Sequence, residues 1–187
     1  MGRAFWLVAL GLLIVLVATL PFAIRARLEG FSVPSPSMVP TLLPGDYFLV
    51  DKSFRSPRRG DVIVFRDPHD AHVLLTKRVV GLGGEELSIV GRDVYINCRP
   101  GSAGCAPLAE PYAYFSGAPP EPRERGPYHV PNDAYFVLAD NRNKGEDSRH
   151  YGFVRWDQIA GRPLRIYWSW DPEAGSPRWG RLGHSVR

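Results

Sequence analysis

Apolar and polar positions divide this chain into two unequal parts. From Ala4 to Ile24 almost every residue is apolar. As a helix rising 1.5 Å per residue, such a run covers about 30 Å, the depth of a bilayer core. It predicts a membrane anchor over residues 1–27. A cleaved leader would have a shorter apolar region followed by a clean small-x-small site, and neither is present. Arg3 precedes the run and Arg25 and Arg27 follow it. The positive-inside tendency, taken alone, would place the second flank in the cytoplasm.

Beyond residue 27 the apolar residues fall into short runs punctuated by turn signals. Asp46–Asp51, Val62–Phe65, Val73–Gly81, Glu86–Val90, Asp93–Asn97, Tyr135–Ala139 and Arg162–Trp170 read as strands. Pro44-Gly45, the PRRGD stretch from Pro57 to Asp61 and Leu82-Gly83-Gly84 read as the turns between them. One helical turn is predicted near Trp156–Ile159. Residues 98–130 are rich in Pro, Gly and charge and have little periodicity. They predict a loop-rich, partly mobile insertion outside the core, with Tyr112, Tyr114 and Phe115 packing back. The Gly- and Arg-rich tail from Pro172 is expected to fray. The predicted fold is mainly β, with antiparallel sheets in a coiled, barrel-like domain over residues 28–187, preceded by one transmembrane helix.

Composition narrows the partners. The 18 prolines and 19 glycines argue against a helical bundle. The net charge of +4 suits anionic lipid headgroups beside an anchor. The arginines are scattered and form no nucleic-acid-binding motif, so no nucleic acid is expected. Cys98 and Cys105 are the only cysteines, and the RPGSAG between them can turn the chain back, so a disulfide is sterically reasonable. Two thiols cannot complete a four-ligand zinc site, and no metal is expected. A disulfide would place the domain in an oxidising compartment.

The candidate chemistry begins at Phe31, in FSVPSPSMVPTLL. Pro34, Pro36 and Pro40 favour extended backbone and exclude an interior helix turn. Ser35 and Ser37 thus stand on a stiff segment beside the anchor. A serine hydroxyl needs a base to become a nucleophile. The five histidines lie mostly in polar, loop-like text, and His69-Asp70 has nothing to orient it. Lysine is the better candidate. Only Lys52, Lys77 and Lys144 stand among 23 basic residues, and Lys77 lies in the apolar strand LLTKRVVG. Arginine keeps its proton in a protein, whereas a buried lysine can lose it. Lowering a lysine from about 10.4 to about 8 corresponds to roughly 3 kcal/mol. Desolvation among Leu74, Leu75, Val79 and Val80 can supply that. Arg78 falls on the opposite face of the strand and needs its own partner. Asp147, shared with Arg149, is the candidate.

Four stretches together resemble the successive motif boxes of type I signal peptidases. They are Phe31–Lys52 with PSPSMVPTL, Arg59–Phe65 with RGDVIVF, Lys77–Leu87 following Thr76, and Val130–Arg149 with ADNRNKGEDSR. The resemblance implies a membrane-anchored serine endopeptidase that removes N-terminal signal peptides from exported preproteins, cutting after small-x-small (Ala-x-Ala) sites. It implies Ser37 as nucleophile and Lys77 as general base. The Ser37 N–H and the Ser35 hydroxyl would form the oxyanion hole, and Phe31, Val33, Leu42 and Thr76 the substrate pockets. Asp147 would organise the last box with Arg78 and Arg149, and Ser148 matches a further serine there. No cofactor is implied. The implied partners are preprotein signal peptides and membrane lipid, and a monomer is expected. The implied location is the inner (cytoplasmic) membrane, single-pass, with the catalytic domain on the outer or periplasmic face.

Three departures from the family pattern stand out. Ala139 replaces a glycine, and Gly83 and Glu85 replace proline and aspartate. Gly145 stands where much of the family has a serine that hydrogen-bonds the lysine, so Gly145→Ser is expected to leave activity equal or raise it. The competing readings are a relative dedicated to one conjugation or pilus protein, and a membrane-tethered binding module whose catalytic site has decayed.

Overall fold

The computed structural model describes residues 26–117 and 124–187, together with Gly2, Leu10, Leu13, Ile14, Val17 and Thr19. Among these residues no helix is long and apolar enough to cross a membrane. The expected anchor over residues 1–27 lies outside the described residues, apart from the positions just named and Ala26 and Arg27.

Among the described residues eleven strands carry the fold: β1 (Leu28–Ser32), β2 (Asp46–Asp51), β3 (Val62–Arg66), β4 (Leu74–Gly81), β5 (Glu86–Val90), β6 (Asp93–Ile96), β7 (Glu124–His129), β8 (Ala134–Leu138), β9 (Val154–Arg155), β10 (Ile159–Asp171) and β11 (Ser176–Pro177). One short helix, α1 (Ser148–Tyr151), follows β8. The larger sheet runs β1-β2-β10-β3-β4-β8-β9, with β11 beside β10, and the smaller runs β6-β5-β7. Every strand pairing is antiparallel. The larger sheet is an open path with β1 and β9 at its ends, and among the described residues no ladder joins those ends.

Strand alternation explains the layers. On β3, Val62 and Val64 enter one apolar cluster with Phe48, Val50 and Ile166, while Ile63 and Phe65 enter another with Val79 and Val137. A strand buried on both faces reads as a continuous apolar run, which VIVF is. A third cluster joins Val80 of β4 to Leu87, Val94 and Phe136 and links the two sheets. Pairing places Lys77 opposite Ile63, and Arg78 opposite Leu138. The centre of the larger sheet therefore carries the candidate lysine.

Two segments depart from expectation. The described parts of residues 98–130, namely 98–117 and 124–130, are not loop held outside the core. Cys98 and Cys105 are joined by a disulfide. Beyond it, the Leu108 N–H donates to the Val94 carbonyl, Glu110 pairs with a buried Arg142, and Tyr114 bridges Asn141. Glu124–His129 then forms β7, an outer strand whose charges and Pro127 mask it in the sequence, because an edge tolerates both. The tail does not fray either. Ser176 and Pro177 pair with β10, the Arg181 guanidinium reaches the buried Asp46, and Val186 joins the first core cluster. The predicted helical turn is a 3-10 turn at Trp156–Gln158.

Candidate active site

Ser37 lies in one turn of 3-10 helix, Pro36–Met38, where extended backbone was expected. The turn tolerates Pro36 because it stands at the start, where no N–H is required. The Val39 N–H closes it on the Pro36 carbonyl at 3.3 Å. Val39, held extended before Pro40, ends it. Met38 and Leu42 sink into the core on either side of the chain reversal, and Leu42 N–H donates to the Met38 carbonyl. Ser35 occupies the capping position yet does not cap the turn. Its hydroxyl lies 3.1 Å from Ser37 Oγ instead.

Lys77, from the middle of β4, donates from Nζ to Ser37 Oγ at 3.2 Å and to the Thr76 carbonyl at 3.1 Å. Lys77 is 4% exposed and Ser37 6%. Burial pulls the Lys77 pKa below its ordinary value; the Asp147 carboxylate, and less strongly that of Asp140, push it back up. Burial is the larger effect, so the amine is biased toward its neutral, basic form. Lys77, Ser35 and Ser37 line a cavity of about 110 Å³. Phe31, Val33, Leu42 and Thr76, all named from the sequence, line it. So do Met38, Val64, Leu74 and Leu75, which sequence reasoning did not assign to it.

Arg78 departs from expectation. It pairs with Asp140, through Nε to Oδ1 at 2.7 Å and Nη2 to Oδ2 at 2.6 Å, and not with Asp147. The register explains why. Arg78 lies opposite Leu138, and Asp140 stands two residues further on, so alternation turns Asp140 toward the face of Arg78. The Gly60 carbonyl and Thr41 Oγ1 accept from the same guanidinium, and the Tyr112 ring lies 4.0 Å from its centre. Thr41 in turn donates to Asp140, which ties the serine segment to the pair.

Asp147 serves the loop that follows β8. Its carboxylate accepts from the Ala139 N–H at 3.0 Å and from Nε and Nη2 of Arg149, both at 2.8 Å, and it caps α1. Ser148 Oγ accepts from the Val137 N–H at 2.9 Å. These bonds fold residues 139–147 back over Ser37. Gly145 arrives there with φ +131°, and a Cβ on it would lie 2.6 Å from the Ser37 Cβ. The place expected to accept a serine is thus too close to Ser37 for any side chain. The Thr76 carbonyl and Ser37 itself hold the lysine amine.

Asp140, Thr41 and Asn141 complete the surroundings of the site and were not singled out from the sequence; Tyr112 was expected only to pack back, and it does so over Arg78. The available signal was an acidic residue directly after an apolar strand, in YFVLAD. Among the described residues, no group of three or more His, Cys, Asp or Glu could hold a metal ion.

Comparison with known proteins converges on one family. Residues 4–168 match the family described as "Signal peptidase, peptidase S26". A probable signal peptidase I-2 of Synechocystis sp. is 36% identical over 173 residues, which are 87% of this chain and 73% of the relative. The signal peptidase I of Leptolyngbya laminosa is 38% identical over 151 residues, 75% of this chain and 68% of the relative. A crystal structure of a signal peptidase I from Enterococcus faecalis aligns with a TM-score of 0.47 at 28% identity, over 58% of this chain and 97% of that one.

Proposed function

The chain belongs to the signal peptidase family, peptidase S26, a family of serine endopeptidases, and from that premise we propose that it removes N-terminal signal peptides from exported preproteins by a Ser37–Lys77 mechanism. The observation that carries this reading is the 3.2 Å contact between Ser37 Oγ and a buried Lys77 Nζ on the wall of a small cavity.

The chemistry follows from the contact. Neutral Lys77 Nζ takes the Ser37 proton as Oγ bonds to the scissile carbonyl carbon. The carbonyl oxygen becomes an oxyanion facing the Ser37 N–H and the Ser35 hydroxyl, donors typically worth about 3 kcal/mol each. As the C–N bond breaks, Lys77 returns the proton to the leaving amine, leaving an acyl-enzyme on Ser37. Neutral again, Lys77 then takes a proton from the water that attacks the ester and passes it to Ser37 Oγ as the acyl C–O bond breaks, which restores the free serine. The cavity, about 110 Å³ and lined largely by apolar side chains, is the candidate for receiving the small residues of an Ala-x-Ala site.

In this reading residues 1–27 anchor the chain as a single pass in the inner membrane, and residues 28–187 form a monomeric peptidase domain on the outer or periplasmic face. A disulfide between Cys98 and Cys105 is at home in that oxidising compartment. The domain would meet its substrate at the lipid surface, where the preprotein's own apolar segment holds the cleavage site.

The test is to incubate the full chain, in a detergent–lipid mixture, with several unrelated preproteins and to read the new N-terminus of each product. Cleavage of most of them after small-x-small sites supports the reading. Turnover of a single substrate would point to a dedicated processing enzyme, and binding without turnover to a module without catalysis.

A further inference from the structure

We infer that Asn141 is a positioning residue that aims the Ser37 N–H at the oxyanion, and that the strap Glu110–Ser116 holds Asn141 in place. The inference rests on the Ser37–Lys77 reading above.

Asn141 is buried, 2% exposed, and it holds two successive carbonyls of the serine turn. Its main-chain N–H donates to the Ser37 carbonyl at 2.9 Å, and its Nδ2 to the Pro36 carbonyl at 3.3 Å. The second bond matters most. The Pro36 carbonyl and the Ser37 N–H belong to one planar, trans peptide unit and point in opposite directions. Fixing the carbonyl end therefore fixes where the N–H points. Among the described residues that N–H donates to no protein acceptor. A free N–H on the nucleophile, held rigid from behind, is the donor that a developing oxyanion requires.

The strap decides which end of the Asn141 amide faces Pro36. The Ser116 N–H, 3.4 Å from Asn141 Oδ1, can only donate and the Pro36 carbonyl can only accept, so the NH₂ end faces the turn; the Ser116 hydroxyl adds a second bond to Oδ1 at 2.9 Å. The strap also grips both neighbours of Asn141. The Tyr114 N–H donates to the Asp140 carbonyl at 2.7 Å, and the Arg142 N–H to the Tyr114 carbonyl at 2.8 Å. Because strand-like pairing alternates, the Asn141 N–H faces away from the strap and toward Ser37. Glu110, paired with Arg142, fastens the beginning of the strap. The segment expected to be an insertion outside the core thus reaches the catalytic turn through one amide.

The test compares Asn141→Ala and Ser116→Ala with the wild type and Ser37→Ala, all as full chains with a preprotein substrate. Two binding measurements separate positioning from packing. A peptide aldehyde forms a hemiacetal with Ser37 and needs the oxyanion donors, whereas a cleaved signal peptide fills the pockets without them. We expect Asn141→Ala to lower kcat by roughly 30- to 100-fold with KM within about threefold. It should weaken the aldehyde adduct in parallel and leave signal-peptide affinity unchanged. Ser116→Ala, which removes the hydroxyl bond to Asn141 Oδ1 and keeps the main-chain N–H contact, should lower kcat several-fold in the same manner, and it decides the matter if Asn141→Ala fails to fold. Unchanged kcat, or equal losses of aldehyde and signal-peptide affinity, would overturn the inference. Cleavage that survives Ser37→Ala would instead overturn the reading on which it rests.

Discussion

Gly145 packs its backbone directly against Ser37: a Cβ there would come within 2.6 Å of the Ser37 Cβ, a distance no unstrained pair of such atoms adopts. Its φ of +131° is also one that residues with side chains rarely reach. Gly145→Ala and Gly145→Ser should therefore push Ser37 away from Lys77. The expected loss of kcat is tenfold or more, on the scale of roughly 1.4 kcal/mol per tenfold. Steady-state cleavage by the folded variants checks it. Equal or higher activity for the serine variant, as the family pattern alone would lead one to expect, would show that the loop lies elsewhere.

Catalysis should depend on pH through Lys77. Only the neutral amine accepts the Ser37 proton, and burial lowers its pKa from the ordinary 10.5. The acidic limb of kcat/KM should rise with pH through an apparent pKa below that ordinary value. A rate that keeps climbing to 10.5 and beyond would mean that the lysine is not desolvated in solution.

The same shift has a cost in stability, with a definite sign. Between the lowered pKa and 10.5 the unfolded chain binds more protons at Lys77 than the folded one, so stability rises with pH in that window. Below the lowered pKa the full penalty of burying the ammonium is present. Lys77→Met should consequently raise Tm at pH values below the lowered pKa, with a gain that shrinks as pH climbs toward 10.5. Thermal unfolding of the two proteins across that range gives the answer, and a Tm that falls in the variant at low pH would contradict it.

Arg78 and Asp140 form a pair in which the arginine side chain is 2% exposed and the aspartate 0%. Removing one partner strands the other charge in the interior. Arg78→Met should cost about 3 to 5 kcal/mol, and adding Asp140→Asn should recover much of it. Asp147→Asn should not rescue, because Asp147 is bonded to Arg149 and not to Arg78. Chemical denaturation of the three variants separates the alternatives.

Residue chemistry explains why part of the site was legible from sequence and part was not. Ser37 and Lys77 could be read because serine needs a base and a buried lysine can be one. The apolar text around Lys77 already describes its desolvation. Cavity residues such as Val33 and Leu42 were within reach through the motif alone. Which carboxylate meets Arg78 was not, because that depends on the register of β8 against β4, and Asp140 and Asp147 both lie in the same polar run. The Gly145 contact with Ser37 and the Ser116–Asn141–Pro36 chain join residues about a hundred positions apart along the sequence or meet only after a loop has closed. The tail misled for a similar reason: Arg181 and Asp46 are 135 residues apart, and local composition carries no trace of their bond. For the strands the position is easier. Alternation and turns are local, and the strands that escaped notice, β1, β7 and the two-residue β9 and β11, are edge or very short elements where little apolar pattern is required.

The Ser37–Lys77 pair is tested most directly by cleavage of one preprotein with a small-x-small site by the wild type, Ser37→Ala and Lys77→Ala, each shown to be folded, in a detergent–lipid mixture. Cleavage after that site by the wild type, with kcat/KM falling by roughly a thousandfold or more in both variants, is the predicted result. Wild-type rates in either folded variant would contradict it.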